Sequence, residues 1–200
     1  MSEIVIRDMP ADSMIRIGNA RVYDLWESVA ASKYPMQVEP DAGNTELTGT
    51  AVKLARCAPG TGHDNWLCGI RVAFDISLTA KCLIELERYH FADIVSCNST
   101  MHRIARFDLD AAYCGYVDSR MVAVMKELVC KYNDEPTDEN YLKVLYSNPA
   151  GFVYRMRINT NYRQLKTMRL QRMGHRMPEW REFCAWMVGY LPKPELIVVE

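Results

Sequence analysis

The chain has 200 residues, of which 24 are basic and 25 acidic, so its formal net charge is −1. This length predicts one domain that spans residues 1–200. The 49% of hydrophobic and 24% of charged residues exclude disordered, collagen-like and low-complexity chains. No stretch has the roughly 18 uncharged apolar residues of a membrane helix, and Glu3 and Arg7 interrupt the segment where a secretory peptide needs an apolar core. We therefore expect a cytoplasmic protein with no membrane partner.

Seven cysteines are spread along the chain without a C-x-x-C pair. An odd, dispersed set predicts reduced and mostly buried thiols rather than a disulfide framework. No two cysteines or histidines have the spacing of zinc ligands, so no metal is expected. Cys97 stays a candidate nucleophile, because His90 or His102 could activate its thiolate.

In the first half of the chain, helical spacing of apolar residues predicts a helix over 18–33, which ends before Pro35. The next stretch, 35–66, is rich in glycine and proline, and a segment of this length is typical of a lid, a binding loop or an interface element. The other elements predicted in this half are a short helix at 45–57, a strand over 67–78, a helix over 79–91 and an extended piece at 94–96.

The second half is mostly helical. Residues 118–132 have the cleanest amphipathic pattern, with Asp118 or Ser119 as the cap. The elements predicted after it are a helix over 137–146, a strand over 152–159 and helices over 161–173 and 178–190. This order predicts the α+β class, with a small sheet covered by helices.

The near-zero net charge conceals an asymmetry along the chain. Residues 155–181 contain eight basic side chains and one acidic side chain, a local charge of +7, so the rest of the chain carries −8. Arg169, Arg172 and Arg176 share one face of a predicted helix. Like charges stacked in this way repel each other, so the pattern favours a nearby anion.

Three interpretations of this basic segment stay open. A phosphorylated small molecule fits best, because guanidinium groups match phosphate and the segment also offers the amides of Asn159, Asn161 and Gln164. A solvated basic face, or one that pairs with the acidic region 108–139 across a subunit contact, is the plain alternative. Nucleic acid is disfavoured, since the pI is near 6.4 and few aromatic residues accompany the bases.

Residues 88–103 collect many hydrogen-bonding side chains between a few apolar anchors. Histidine, serine, asparagine, threonine and arginine all occur in this stretch, directly after a predicted helix. A single buried histidine or serine would be unremarkable, but the density indicates a functional surface. Neither a G-x-S-x-G sequence nor a papain-like cysteine context is present, so a conventional nucleophile is not indicated.

These two segments resemble the motifs of flavin-dependent thymidylate synthases, R-H-R-x-x-S-x-N/S-E-x-S-x-R and N-A-R-x-L-x-x-F-x-x-x-R. His90 stands at the histidine of the first motif. With two residues inserted, its later positions fall on Ser96, Asn98 and Arg103. The second motif is matched by residues 161–165 (NYRQL) and by Arg172. The run 19–23 (NARVY) is similar to the A-R-V-S-Y sequence of the same family, and the resemblance spans most of 18–187.

The chain departs from the first motif at several positions. Tyr89 and Phe91 replace the two arginines that help the family to hold its flavin. Ser99 replaces the glutamate of the motif, and Met101 replaces its second serine. An arginine that the family uses on the nucleotide corresponds at best to Lys143. These departures are typical of a divergent branch, of phage or mobile-element type.

The resemblance implies an α+β fold with a small antiparallel sheet, in a homotetramer whose active sites are shared between subunits. It implies transfer of a one-carbon unit from methylenetetrahydrofolate to C5 of a pyrimidine deoxynucleotide monophosphate, from dUMP to dTMP or in a related modification. FAD would be the cofactor and NADPH the reductant. The alternatives are a nucleotide-binding homologue that has lost flavin chemistry and a structural or nucleic-acid-associated module.

The resemblance also implies roles for individual residues. Arg172 would polarise the pyrimidine electrostatically, and Ser96 is the second catalytic candidate. The candidates for binding the nucleotide are Arg103, Lys143, Asn98, Ser99 and again Arg172. The candidates for binding the flavin are His90, Tyr89, Asn161, Arg163 and Arg88.

Overall fold

The computed structural model describes residues 2–10 and 13–199 of the chain. Their strands form one antiparallel sheet in the spatial order β1-β2-β3-β5-β4. The strands are β1 (Glu3–Ile6), β2 (Arg16–Tyr23), β3 (Arg71–Thr79), β4 (Ala92–Cys97) and β5 (Val153–Asn161). Strand β5 therefore lies inside the sheet, whereas β4 forms one of its edges.

The helices are α1 (Leu25–Ala31), α2 (Gly49–Arg56), α3 (Ala80–Leu86), α4 (Thr100–Arg103), α5 (Ser119–Asp134), α6 (Asp138–Ser147), α7 (Tyr162–Arg172) and α8 (Pro178–Tyr190). Five of them begin after a threonine, aspartate or asparagine whose side chain accepts a hydrogen bond from the first turn, because these residues satisfy the free N–H groups of a helix start. Among the described residues, no helix has both the length and the apolar character needed to cross a membrane.

The expected α+β class, with a small antiparallel sheet covered by helices, is confirmed. The prediction of one helix throughout 18–33 is wrong, because its first part belongs to β2 and only Leu25–Ala31 is helical. Val22, the last buried residue of β2, lies three positions before Leu25 of α1, so it extends the helical spacing back into the strand. A β-bulge around Asn19, whose φ is 50°, also breaks the two-residue period of β2.

Helices α7 and α8 cover one face of the sheet. Alternate side chains of β3 and β5 point towards them, as the two-residue period of a strand requires. In α8 the rings of Phe183 and Trp186 stack with 5.8 Å between their centroids, and Phe74 of β3 lies 5.1 Å from Trp186. This aromatic core fixes the two helices against the strands.

A second, smaller core lies under the hairpin of α5 and α6. Phe152, directly before β5, is fully buried. It meets the rings of Phe107, Tyr113 and Tyr154 edge-on, with centroid distances between 5.1 and 5.6 Å. The hydroxyls of Tyr154 and Thr100 are 3.0 Å apart, so this core also holds α4 near the far end of β4.

Candidate active site

Two adjoining cavities lie where the turn between α3 and β4 meets α7. The loop cavity has a volume of 180 Å³, and the residues on its own side include Gly60, Cys68, Asn161 and Arg163. The turn cavity has a volume of 330 Å³ and is lined on its own side by Arg88, Tyr89, His90, Gln171 and Arg172. Both cavities share a wall formed by Phe91, Gln164 and Thr167.

Helix α7 supplies more of this lining than any other helix or strand because of where it begins. Asn161 is the last residue of β5 and also caps α7, since its side-chain oxygen accepts the backbone N–H of Gln164 at 2.9 Å. Gln164, Thr167 and Gln171 follow at spacings of three and four, which places them on one face of the helix. The sheet thus fixes the start of α7, and the helix period turns its polar face towards the cavities.

A buried ion pair ties the loop before β3 to α7. The ammonium of Lys166, which is 0% exposed, donates to Asp64 Oδ2 at 2.7 Å and to the carbonyl of Ala55 at 2.6 Å. Asp64 is also buried, and its other oxygen accepts from Arg163 Nε at 3.1 Å. Because both charges are paired and hydrogen-bonded, their burial is tolerated. The pair holds the loop that forms the outer wall of the loop cavity.

The guanidinium of Arg172 is held by three neighbours at the far side of the turn cavity. Its Nε donates to the Tyr89 hydroxyl at 2.9 Å, and its Nη1 donates to Glu85 Oε2 at 3.1 Å. It also lies 5.0 Å from the centroid of the Trp180 ring. The Tyr89 hydroxyl in turn donates to Gln171 Oε1 at 2.9 Å. This side chain is therefore pre-positioned before any ligand arrives.

Glu85 is the acidic centre of the same network. Its Oε2 accepts from the Trp180 indole N–H at 3.2 Å and lies 3.4 Å from His175 Nε2. Burial by itself raises the pKa of the Glu85 carboxyl, but the Trp180 hydrogen bond and the charges of His175 and Arg172 outweigh this effect, so the pKa lies below its usual value. The carboxylate is thus charged at neutral pH and balances Arg172.

The structure brings all of the flavin candidates to these two cavities. His90, Tyr89 and Arg88 come from the turn after α3, and Asn161 and Arg163 come from the start of α7. The side chain of Asn161 also serves as the helix cap, and that of Arg163 is paired with Asp64. Two motifs that are distant in sequence therefore meet at one place, and the flavin roles of these residues stay predictions.

The nucleotide candidates of the first motif lie at the other end of β4. Ser96 is exposed on this edge strand, and Arg103 is exposed at the end of α4. Asn98 extends the pairing with β5, because its backbone N–H donates to the Arg155 carbonyl at 3.1 Å and its side-chain oxygen accepts the Arg155 N–H at 3.0 Å. A strand rises by about 3.3 Å per residue, so Ser96 lies roughly 13 Å along β4 from Ala92 at the cavity end.

Three further candidates also lie away from the cavities. Ser99 precedes α4 without a side-chain capping bond. Lys143 is on α6, where its ammonium is 2.6 Å from Glu139 Oε1 one helical turn earlier. Cys97 is exposed at the last position of β4, which separates it from His90 before the first position. The roles predicted for these residues are not supported by shared cavities.

The sequence interpretation missed the shared wall as a functional feature. The motif comparison singles out Phe91 only as a departure, and the basic segment includes Gln164 only as one of its amides. Neither pattern singles out Thr167. The spacing of Gln164, Thr167 and Gln171 is a signal that the sequence offers, because it places three polar side chains on one face of the helix predicted over 161–173.

No protein-family model and no curated protein matches the sequence. Solved structures match it in fold. It is similar to the flavin-dependent thymidylate synthase ThyX from Helicobacter pylori complexed with FAD and dUMP, at 17% identity and a TM-score of 0.69, over 90% of this chain and 95% of the other. A second structure of that synthase with FAD and dUMP matches at 18% identity and a TM-score of 0.69, over 90% and 94% of the two chains.

The UMP/dUMP methylase PolB from Streptomyces cacaoi, bound with 5-Br dUMP, is also similar, at 15% identity and a TM-score of 0.56 over 78% of each chain. At these identities the likeness establishes the fold. The chain therefore has the fold of flavin-dependent thymidylate synthases, as its motifs predicted. The neighbours with that fold act on pyrimidine nucleotides.

Proposed function

We propose that the protein is an enzyme that transfers a one-carbon unit from methylenetetrahydrofolate to C5 of a pyrimidine deoxynucleotide monophosphate, from dUMP to dTMP or a related product. FAD would be its cofactor and NADPH its reductant. The observation that carries the proposal is that the start of the first motif, residues 88–91, and the second motif meet at one pair of cavities. Two solved structures with this fold contain FAD and dUMP, which supports the same ligand classes here.

The residues around the cavities fit a flavin nucleotide. Arg88 and Arg163 offer guanidinium groups for a pyrophosphate. Phe91 leaves 66% of its surface exposed, so that a planar ring can lie against it. Tyr89 and Phe91 thus give aromatic surface where the family motif has two cations. A bound flavin would supply the reducing equivalents for the transfer.

Arg172 is the group of this chain that suits polarisation of the pyrimidine. Its guanidinium keeps its charge at physiological pH, and Glu85, Tyr89 and Trp180 fix its position. A cation held beside a carbonyl oxygen stabilises the negative charge that develops there, and it needs no rearrangement during the reaction. The reaction needs no enzyme nucleophile, in agreement with the exposed position of Cys97 far from the cavities.

The nucleotide phosphate would be held by residues at the other end of β4. Arg103 offers a guanidinium there, and the hydroxyls of Ser96 and Ser99 can donate hydrogen bonds. Arg103 and Arg172 lie at opposite ends of β4 within one protomer, so one nucleotide is reached by both most simply when a second copy brings its Arg103 to the cavity. The proposal therefore includes a homotetramer with active sites between subunits.

A second candidate function is nucleotide binding without flavin chemistry. The observation that favours it is the replacement of both motif arginines by Tyr89 and Phe91. Two lost guanidinium–phosphate contacts would weaken cofactor binding by about 3 kcal/mol or more in sum. Such a protein would still hold a nucleotide through Arg103 and Arg172.

Reconstitution with excess FAD, followed by dialysis and a visible spectrum, separates the two candidates. Retained flavin absorbance, together with conversion of dUMP in the presence of methylenetetrahydrofolate and NADPH, is expected. Arg88→Ala should reduce the retained flavin, whereas Arg120→Ala, an exposed arginine on α5, should not. A colourless protein that dUMP protects against thermal unfolding would support the second candidate, and the absence of both effects would overturn both.

A further inference from the structure

The side chain of Gln164 lines both cavities and has no internal hydrogen-bond partner among the described residues. The residue is 9% exposed, and its backbone N–H is bonded to Asn161. Its side-chain amide makes no hydrogen bond within residues 2–10 and 13–199. The described side-chain atoms that are fully buried without a partner are the indole nitrogens of Trp66 and Trp186, so the Gln164 amide keeps contact with the cavities and is open to a ligand. The exposure that remains to Gln164 is at the wall shared by the loop cavity and the turn cavity.

A primary amide is selective about the group that can satisfy it. Its C=O accepts and its NH₂ donates, side by side, so its complement must offer a donor and an acceptor in the same arrangement. A phosphate has only acceptors, and an ammonium has only donors. A cyclic imide, in which an N–H lies between two carbonyl groups, offers both. The exposed ring of Phe91 lines the same two cavities and favours a planar ligand.

We infer that Gln164 is a specificity-determining residue that recognises the imide edge of a planar heterocycle. The inference rests on the proposed function, because it takes the flavin or the pyrimidine nucleotide as the molecule that enters these cavities. The pyrimidine half of the flavin ring and the uracil base of dUMP carry the same imide. Cytosine and adenine also place a donor beside an acceptor, so the experiment must address the imide N–H itself.

The position of Gln164 suits this task. It lies in the first turn of α7, between the Asn161 cap and the Lys166–Asp64 pair, and both are fixed by hydrogen bonds. The backbone that carries the amide is therefore held, and only the side-chain torsions remain to be ordered on binding. An amide presented from a rigid helix keeps its recognition geometry better than one on a loop.

The test compares each ligand with the analogue that is methylated at the imide nitrogen: FAD with N3-methyl-FAD, and dUMP with N3-methyl-dUMP. Wild-type protein should bind one parent compound more tightly than its analogue, by on the order of tenfold. Gln164→Leu should reduce that ratio to about one by weakening the parent compound only. Gln164→Glu still accepts from the imide N–H but no longer donates to the imide carbonyl, so it should weaken the parent compound and its analogue alike and leave the ratio near that of wild type.

Gln171→Leu is the matched control, since it removes an amide from the same helix face and the same turn cavity. The Gln171 amide already accepts from Tyr89, so this variant should keep the wild-type ratio. Ligand-free Gln164→Leu should not melt at a lower temperature than wild type, because the amide has no hydrogen bond to lose within the described residues.

The outcomes separate the inference from the proposed function. Loss of the FAD ratio assigns Gln164 to the flavin, and loss of the dUMP ratio assigns it to the base. Binding of the parent compounds with the same ratio in wild type and Gln164→Leu would overturn the role of Gln164 and leave the proposed function standing. A lower melting temperature for Gln164→Leu would reveal an internal partner and overturn the inference too. Failure of wild type to bind either parent compound would overturn both.

Discussion

The two halves of the candidate site lie at the two ends of strand β4. They differ in how many of their side chains already have hydrogen-bond or ion-pair partners within the protomer. At the start of the strand, Tyr89 and Arg172 are linked by a hydrogen bond and Arg172 is balanced by Glu85. At its far end, Ser96 and Arg103 are exposed. The first half is pre-organised by its own chain, whereas the second presents side chains that a partner or ligand must complete. Substitutions at the first end should therefore change stability, and those at the second end should change binding.

The largest effect is expected at the buried ion pair behind the loop cavity. Lys166→Met leaves the buried Asp64 carboxylate with Arg163 as its remaining cation, and the loss of the buried ammonium costs about 3 kcal/mol of unfolding free energy. Urea unfolding at neutral pH measures it. Lys143→Met is the control, because its pair with Glu139 is exposed and contributes little to stability. Equal destabilisation by the two variants would contradict the role assigned to Lys166.

Glu85→Gln should have the next largest effect, about 1.5 kcal/mol of unfolding free energy, because hydrogen bonds to a charged carboxylate are lost. The pKa of Glu85 is lower in the folded protein than in the unfolded chain, where it is near 4.5. The contribution of the Glu85 carboxylate to the unfolding free energy is therefore complete above pH 4.5 and is lost as the pH falls below that value. The stability gap between wild type and variant should narrow in acid.

Glu87→Gln gives the control for this pH dependence, since Glu87 is an exposed carboxyl next to the same helix. Its variant should stay within about 0.5 kcal/mol of wild type throughout the titration. A gap for Glu85→Gln that does not change between neutral and acidic pH would show that the carboxylate charge is not what stabilises the network.

At the exposed end, Arg103→Ala should leave the unfolding free energy unchanged and lower the affinity for dUMP on the order of tenfold, because one charge-assisted contact is removed. Arg172→Ala should lower the affinity by a similar factor and also destabilise the protein, since Glu85 loses its cation. Calorimetric titration with dUMP measures both affinities, and Arg106→Ala, a neighbouring exposed arginine, serves as the control. Unchanged dUMP binding in either variant would remove that residue from the nucleotide site.

Mixing the Arg103→Ala and Arg172→Ala variants should give the smallest effect on activity. It also tests most directly whether the two ends of β4 serve one active site across subunits. If one active site uses Arg103 of one protomer and Arg172 of another, each alanine variant has little activity at low dUMP concentration, yet mixed oligomers contain some intact sites. Random exchange of subunits should restore about a quarter of the wild-type activity. Activity that stays at the level of the separate variants, or a monomer in light scattering at micromolar concentration, would place both arginines in one protomer.

The sequence predicts most helices and the two central strands well because their patterns are local. The helix predicted over 178–190 coincides with α8, and the strand predicted over 152–159 differs from β5 by one or two residues. Strand β2 was missed because Val22 continues the helical spacing of α1 and because a bulge breaks the two-residue period of the strand. Strand β1 has only four residues and a single buried side chain, too little for a recognisable pattern.

Only the residues that belong to the two motifs could be predicted from the sequence as parts of the candidate site. Matching the two motifs brought His90, Asn161, Arg163 and Arg172 together, and the cavities bring together the same residues. The partners of those residues could not be predicted in the same way. Asp64 and Lys166 are 102 positions apart, and nothing in their local sequence indicates that they meet. The absence of an internal partner, as at Gln164, depends on the packing of several elements and has no sequence signature.

The junction between β5 and α7 contains no connecting residue, since Asn161 ends the strand and caps the helix. Each residue of an α-helix advances by about 100° around its axis. A single residue inserted at this junction would therefore turn the polar face of α7 about a quarter of the way round and send Gln164 and Thr167 away from the cavities. Insertions between 37 and 47, in the exposed loop after α1, should be accepted far more readily. The length of the chain at this one point sets the direction in which the cavity wall faces.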